Sequence, residues 1–454
     1  MISNLGRMER REEDLTDNHP SPRDRTSRAR PPQAEERRGT SMFTRSKSLA
    51  LALLGGMLIL SIVLAACGPA ATQEAVPQQE TGAEEAQPPA AEEQQPAAEE
   101  ASPVKVAFVG PLTGPDGVDG QGAAKAAELA VRQANEAGGI CGGRNVEFEA
   151  HDTKADPKEG ANIATLLCND TSVLGVAADY NSSVALAEAP VFNECHLTQV
   201  NYYAAAPEIP KRGGEYTFRV YPPGENQSKY IADWLINGLG YTRFVALYEN
   251  TDYGKGLYDA FVAEAERLGG EVIESEAVLK DQTDLSAVVA KFKAAEPDAV
   301  VGLIQYQVGA YFSMQARDLG LEAPLYGSDG LFAPEIINLA GDAVEGVRTV
   351  AAYTTESTDP VIMNFVEAFR EAYGEDPNNP AGYAYDAVNF ILEAMDETDC
   401  ASREAVQAWF ASEMVDKRGV TGTITLDEYG ERGFAPGMYI PIEIHNGEWV
   451  EVTE

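Results

Sequence analysis

Side chains able to do covalent or metal chemistry are sparse in this chain. It holds four histidines, of which His151, His196 and His445 are scattered, so solvated or core roles suit them best. No H-E-x-x-H occurs, Tyr326-Gly327-Ser328-Asp329-Gly330 is not a G-x-S-x-G elbow, and no G-x-x-x-x-G-K-[ST] phosphate loop is present. The absence of C-x-x-C argues against a zinc site. With 72 acidic residues, carboxylate pairs are unavoidable, and most mark a solvated face. These residues point away from an enzyme and imply neither a metal nor a cofactor.

The cysteines carry more information. Leu64-Ala65-Ala66-Cys67 has the form of a bacterial lipobox, a leucine and two small residues before a cysteine. It follows a basic stretch from Met42 to Ser48 and the apolar run Leu49 to Ala66, the layout of an export signal. Cleavage before Cys67 and lipid attachment to its sulfur are expected. The alternative is an uncleaved anchor, because the apolar run is about the minimum length that spans a bilayer. Cys141, Cys168, Cys195 and Cys400 remain, an even set in an exported chain, with three possible pairings. Cys168 and Cys195 each close a helical stretch just before a strand and should lie at one end of a sheet. That favours Cys168–Cys195 and leaves Cys141–Cys400.

The elements that must position any site begin at Val104. Val104 to Val109 is a short β-branched run that suits a buried strand. It breaks at Gly110-Pro111 into a glycine-rich loop extending to Gly122. Apolar positions Ala127, Ala130, Val131 and Ala134 then predict a helix from Ala123, stopped by Gly138-Gly139, and Val146 to Ala150 resumes as a strand. A second series from Arg243 repeats this plan of strand, turn, helix, Gly-Gly and strand. Two doubly wound α/β domains are expected, with a ligand in the cleft between them. The net charge of −38 argues against nucleic acid or an anionic membrane surface as partner.

Upstream, residues 1–41 mix arginines, acids and prolines and could form no core. Acids such as Glu12, Glu13 and Asp14 are foreign to an export signal, so translation is expected to begin at Met42. Residues 42–66 then form the signal peptide. Residues 67–103, rich in Ala, Gln, Pro and Glu, read as an acidic, self-repelling tether.

The order of several short motifs adds a resemblance. These are the opening V-G-P-L-T-G-P, Asp152-Thr153-Lys154-Ala155-Asp156-Pro157, Ser182-Ser183, Ala206-Pro207-Glu208, Asp252-Tyr253-Gly254-Lys255-Gly256, Gln315-Ala316-Arg317 and Gly327-Ser328-Asp329-Gly330. Each is weak alone, but in this order they cover nearly all of 104–454. They resemble the branched-chain (Leu/Ile/Val-binding type) amino-acid receptors of ABC transporters. The resemblance implies the type I periplasmic-binding fold, two doubly wound parallel-sheet lobes joined by a three-stranded hinge. One lobe would be 104–221 plus 354–437, the other 222–353 plus 438–454.

The resemblance also implies a lipid-anchored receptor on the outer face of the cytoplasmic membrane. It would deliver a small hydrophobic or branched-chain amino acid to an ABC permease. Ser182, with Ser183 beside it, matches the position that holds the ligand carboxylate, and a helix N-terminus is a natural anion site. Asp329 matches the acid that takes the α-ammonium, and Tyr253 a tyrosine that closes over the ligand. Three positions depart from the pattern: Ala205 stands for a threonine, Tyr203 for an alanine and Asp119 for a tyrosine. These leave the ligand open, since relatives also bind amides, urea and aromatic acids, and Tyr180, Tyr202, Tyr203 and Tyr306 could line a pocket for any of them. A ligand sensor for a membrane receptor is a further reading of the same fold.

Overall fold

Val106 and Phe108 of the first strand face one way and Ala107 and Val109 the other, the two-residue period of a strand. All four are buried, in separate apolar clusters on the two faces of one sheet. A strand covered on both faces needs helices on both sides, and the chain supplies them by alternating strand and helix.

The computed structural model describes residues 104–435 and 437–452. The expected extension (1–41), signal peptide (42–66), Cys67 and tether (67–103) lie outside the described residues. No helix among the described residues is long and apolar enough to cross a membrane. The chain runs β1 (Val104–Gly110), α1 (Gly117–Glu136), β2 (Val146–Asp152), α2 (Pro157–Asn169), β3 (Val173–Ala178), α3 (Ser182–Glu194), β4 (Thr198–Asn201), α4 (Ile209–Gly213) and β5 (Thr217–Arg219). These five strands form one parallel sheet in the order β2-β1-β3-β4-β5.

The second lobe follows with α5 (Gly224–Asp233), β6 (Arg243–Glu249), α6 (Asp252–Leu268), β7 (Glu271–Val278), α7 (Ser286–Ala295), β8 (Ala299–Leu303), α8 (Tyr306–Leu319), β9 (Leu325–Gly327), α9 (Pro334–Ala340) and β10 (Arg348–Ala351). Its strands pair in the order β7-β6-β8-β9-β10, the same winding as the first sheet. The chain then returns through α10 (Pro360–Tyr373), α11 (Asn379–Glu397) and α12 (Arg403–Glu413) to cover the first sheet. After a short hairpin, β11 (Lys417–Gly419) and β12 (Gly422–Ile424), it crosses back as β13 (Ile440–His445) and β14 (Glu448–Glu451) to extend the second sheet. The two sheets are thus joined by three chain crossings.

Two buried arginines stitch the crossings together. Arg219 donates to the carbonyls of Ala204 and Ala206 and to Glu431, while Arg432 donates to the carbonyls of Val220 and Thr421. The disulfides join Cys168 to Cys195 and Cys141 to Cys400.

Two expectations need correction. The first helix begins at Gly117, not Ala123, so Asp119, Gly120 and Gly122 are helical. Those glycines serve close packing: a Cβ at Gly120 would lie 1.8 Å from the Pro111 carbonyl oxygen, and one at Gly122 2.5 Å from the Asn378 side chain. The second sheet is also not wholly parallel, because β13 runs antiparallel to β10 and β14 antiparallel to β13. The β13–β14 turn is Asn446-Gly447, with φ of 54° and 76°. Positive φ at both central residues is the requirement of a tight hairpin turn, which asparagine and glycine meet best.

Candidate functional site

In sheets wound this way ligands sit beyond the carboxyl ends of the strands, where the winding reverses. Those points fall between β1 and β3 in the first sheet and between β6 and β8 in the second. The segments leaving these strands meet across the gap. Gln307 Nε2 of the second lobe donates to the Pro115 carbonyl at 2.6 Å, Ser183 Oγ donates to Asp252 Oδ2 at 2.7 Å, and Lys280 lies 3.8 Å from Asp116. The lobes are therefore in a closed arrangement around a buried interior.

Ser182 opens α3 and is buried. Its Oγ accepts the backbone N–H groups of Ala205 and Ala206 at 3.0 and 3.1 Å. A hydroxyl has two lone pairs and one proton. With both lone pairs taken, Ser182 can act towards the cleft only as a donor, at the end of a helix whose dipole favours an anion.

Asp329 stands in the opposite lobe just after β9 and is 3% exposed. The Tyr221 hydroxyl lies 2.9 and 2.8 Å from its two oxygens, and Asn379 Nδ2 donates at 3.3 Å. Burial raises the pKa of its carboxyl, opposed by hydrogen bonds from Gln227, Tyr221, Tyr203 and Asn379. Asn379 Nδ2 also donates to the Tyr203 hydroxyl at 2.8 Å, yet Asn379 Oδ1 and Gln227 Oε1 have no partner although both residues are buried. Asp329 has no cation beside it among the described residues, and an ammonium would supply the missing charge. The rings around it are aromatic: Tyr203 packs on Tyr180, Tyr221 and Tyr383 with centroids 4.9, 4.8 and 5.7 Å apart.

A cleft between two doubly wound lobes, with a donor-only serine in one and a buried carboxyl in the other, is the layout of a solute receptor. Comparison with known proteins agrees. The sequence pattern of the periplasmic binding protein family matches residues 103–440. This chain belongs to the periplasmic binding protein family. Among curated relatives, Leu/Ile/Val-binding protein homolog 1 of Brucella abortus is 28% identical over 324 residues, which is 71% of this chain and 85% of that protein. The leucine-binding protein LivK of Thermotoga maritima superposes with a TM-score of 0.71 at 27% identity, covering 77% of this chain and 98% of that one. LivJ of Streptococcus pneumoniae, in complex with isoleucine, gives 0.70 at 25% identity, covering 77% and 100%.

In this binding protein the residues singled out from the sequence behave differently from one another. Ser182, Tyr203, Tyr253 and Asp329 are buried between the lobes, and the Tyr253 hydroxyl donates to Ser328 Oγ at 2.8 Å beside Asp329. Asp119 joins them: its Oδ2 accepts from the Tyr180 hydroxyl at 3.0 Å, and that hydroxyl also lies 3.2 Å from Gln305 Oε1 of the second lobe. The Ser183 side chain is engaged with Asp252 across the rim, and the Ala205 N–H is taken by Ser182. Tyr202 faces the interior of the first lobe instead of the cleft; its ring packs on Phe108, and a Cβ at Gly110 would lie 2.3 Å from its hydroxyl. Sequence reasoning missed Tyr221, Gln227, Gln305, Tyr383 and Asn379. Tyr221 precedes Pro222-Pro223, a break that marks a crossing; Asn379 comes from the third passage of the chain and carries no local signal.

Several buried carboxyls set an acid preference for the empty protein. Burial pushes Asp119 and Glu249 up to about 7 and Asp179 up to about 8. Groups whose folded pKa exceeds the unfolded value favour folding fully below about 4, and that contribution is lost as pH rises through about 7 to 8. Asp170 is opposite in sign: hydrogen bonds from Ser172 and Lys105 lower it to about 2, so its smaller, exposed contribution disappears only in stronger acid. The melting temperature of the ligand-free protein should therefore fall between pH 5 and pH 8.5. A flat or rising profile across that range would contradict the assignment.

Proposed function

We propose that this protein is an exported receptor that closes on an amino acid and delivers it to an ABC importer in the cytoplasmic membrane. Cys67 carries the lipid anchor, and residues 67–103 hold the lobes away from the bilayer. The observation that supports this reading best is the buried carboxyl of Asp329 in one lobe, with no cation beside it among the described residues, and the donor-only hydroxyl of Ser182 in the other. An α-ammonium and an α-carboxylate on one carbon are a small ligand with that polarity. An aromatic acid without an amine would leave the Asp329 carboxyl without a cation in a dry site, at a cost of about 1–3 kcal/mol or more. The relatives named for leucine, isoleucine and valine, and the isoleucine complex of LivJ, favour the amino-acid class.

The test is a thermal-shift screen on protein refolded to strip co-purified ligand. At a thousandfold excess over Kd an amino acid adds about 4 kcal/mol of stability, a shift easily seen. Stabilisation by amines and carboxylates separately, but by no amino acid, would sink the reading. In cells, Cys67→Ala should abolish incorporation of labelled fatty acid and release the protein from the membrane fraction; retention with no label in the wild type would favour an uncleaved anchor.

A further inference from the structure

Asp119 is the feature of the cleft that a hydrophobic ligand does not explain. It is 5% exposed, and its partners are the Tyr180 hydroxyl at 3.0 Å and the Asn378 amide at 3.4 Å. It has no ion pair among the described residues. The Tyr180 hydroxyl has one proton but lies against two acceptors, Asp119 Oδ2 from one lobe and Gln305 Oε1 from the other. Turning the Gln305 amide would mend that count and still leave the carboxylate without a counter-charge. Burial, and to a lesser degree the Asp329 carboxyl in the same interior, raise the proton affinity of Asp119, and the stacked rings of Tyr180 and Tyr203 lie between the two acids. A neutral zwitterion would answer Asp329 and Ser182 and leave Asp119 buried and unpaired, which is costly.

We propose that the cleft selects an amino acid whose side chain ends in a cationic nitrogen, ammonium or guanidinium, and that Asp119 is the residue that receives it. This rests on the amino-acid-receptor reading. Such a ligand carries two positive groups for Asp329 and Asp119 and one carboxylate for Ser182, and its side chain runs past tyrosine rings whose faces attract cations. Binding draws on the ionised form of Asp119, whose surroundings are Tyr180, Tyr202 and Tyr203 from the first sheet, Asp116 before α1, Asn378 before α11, Tyr306 of α8, Gln305, Asp329 and Glu335 of α9. All the charged groups among these are acids, so none replaces the ligand's cation.

The experiment is calorimetric titration of the stripped protein with lysine, arginine, ornithine, glutamine and leucine. A basic amino acid should bind about 10- to 100-fold tighter than leucine, the ratio expected for a charge-assisted pair. In Asp119→Asn that ratio should fall to within about threefold. In the wild type the affinity for the basic ligand should drop up to about tenfold per pH unit once the pH is below about 7. That measurement needs no variant, so a misfolded Asp119→Asn would not leave the proposal unexamined. Leucine binding tightest would overturn it while leaving the amino-acid receptor standing. Glutamine matching lysine would overturn it too, because the charge would then not be read. Binding by no amino acid would remove the underlying reading as well.

Discussion

Replacing Asp329 with asparagine is expected to abolish amino-acid binding at working concentrations while leaving the empty protein at least as stable. Truncating one partner of a buried, hydrogen-bonded charge pair costs about 2–5 kcal/mol, which is about 30- to 4,000-fold in Kd. The empty protein responds in the opposite sense. Asp329 is buried with only hydroxyl and amide partners, and burial raises its pKa, so the folded empty protein disfavours its ionised form. An asparagine keeps one acceptor for the Tyr221 hydroxyl and adds two N–H donors. Titration calorimetry reads the loss of binding, and a melt of the ligand-free protein reads the stability. Binding within about threefold of wild type would show that Asp329 does not hold the amine. A melting temperature several degrees lower would show that its role is structural.

Loss of the Cys141–Cys400 disulfide is expected to be the largest single blow to stability. It closes a loop with a sequence separation of 259, tying the turn after α1 to the end of α11. By the chain-entropy relation such a crosslink contributes about 5–6 kcal/mol, against about 3–4 kcal/mol for Cys168–Cys195, whose separation is 27. A domain has only about 5–15 kcal/mol in total. Part of the gain is offset, because both Cys141 and Cys400 sit at positive φ, 49° and 51°, a conformation that a residue with a Cβ adopts at some cost. Urea denaturation of the Cys141→Ser/Cys400→Ser and Cys168→Ser/Cys195→Ser double variants should show the former unfolding at the lower midpoint. The reverse order would mean that the long loop is already held together in the unfolded chain.

The repeated strand–helix plan, and with it the two doubly wound lobes, was legible in the sequence because each β/α unit has a local signature. β6 is an apolar run, Gly269 ends α6 in the left-handed conformation, and Thr251 caps its start. Ser182, Tyr253 and Asp329 were singled out by the resemblance, and each lies shortly after a strand end.

Adjacent residues show where that reasoning ends. Tyr202 and Tyr203 are indistinguishable by composition, yet one faces the interior of the first lobe and the other the cleft. The glycines at 120 and 122 look like loop residues and are helical because Pro111 and Asn378 press against them. By itself the sequence determined the order of elements, the residues at strand ends and the even cysteine set, all consequences of short-range pattern. Only the tertiary structure decided that Asn379 and Tyr221 hold Asp329, that Ser182 has spent both lone pairs, and that Asp119 lies buried without a counter-charge. Those properties belong to contacts between residues 23 to 259 positions apart, and the lack of a partner is defined only once every neighbour of a group is in place.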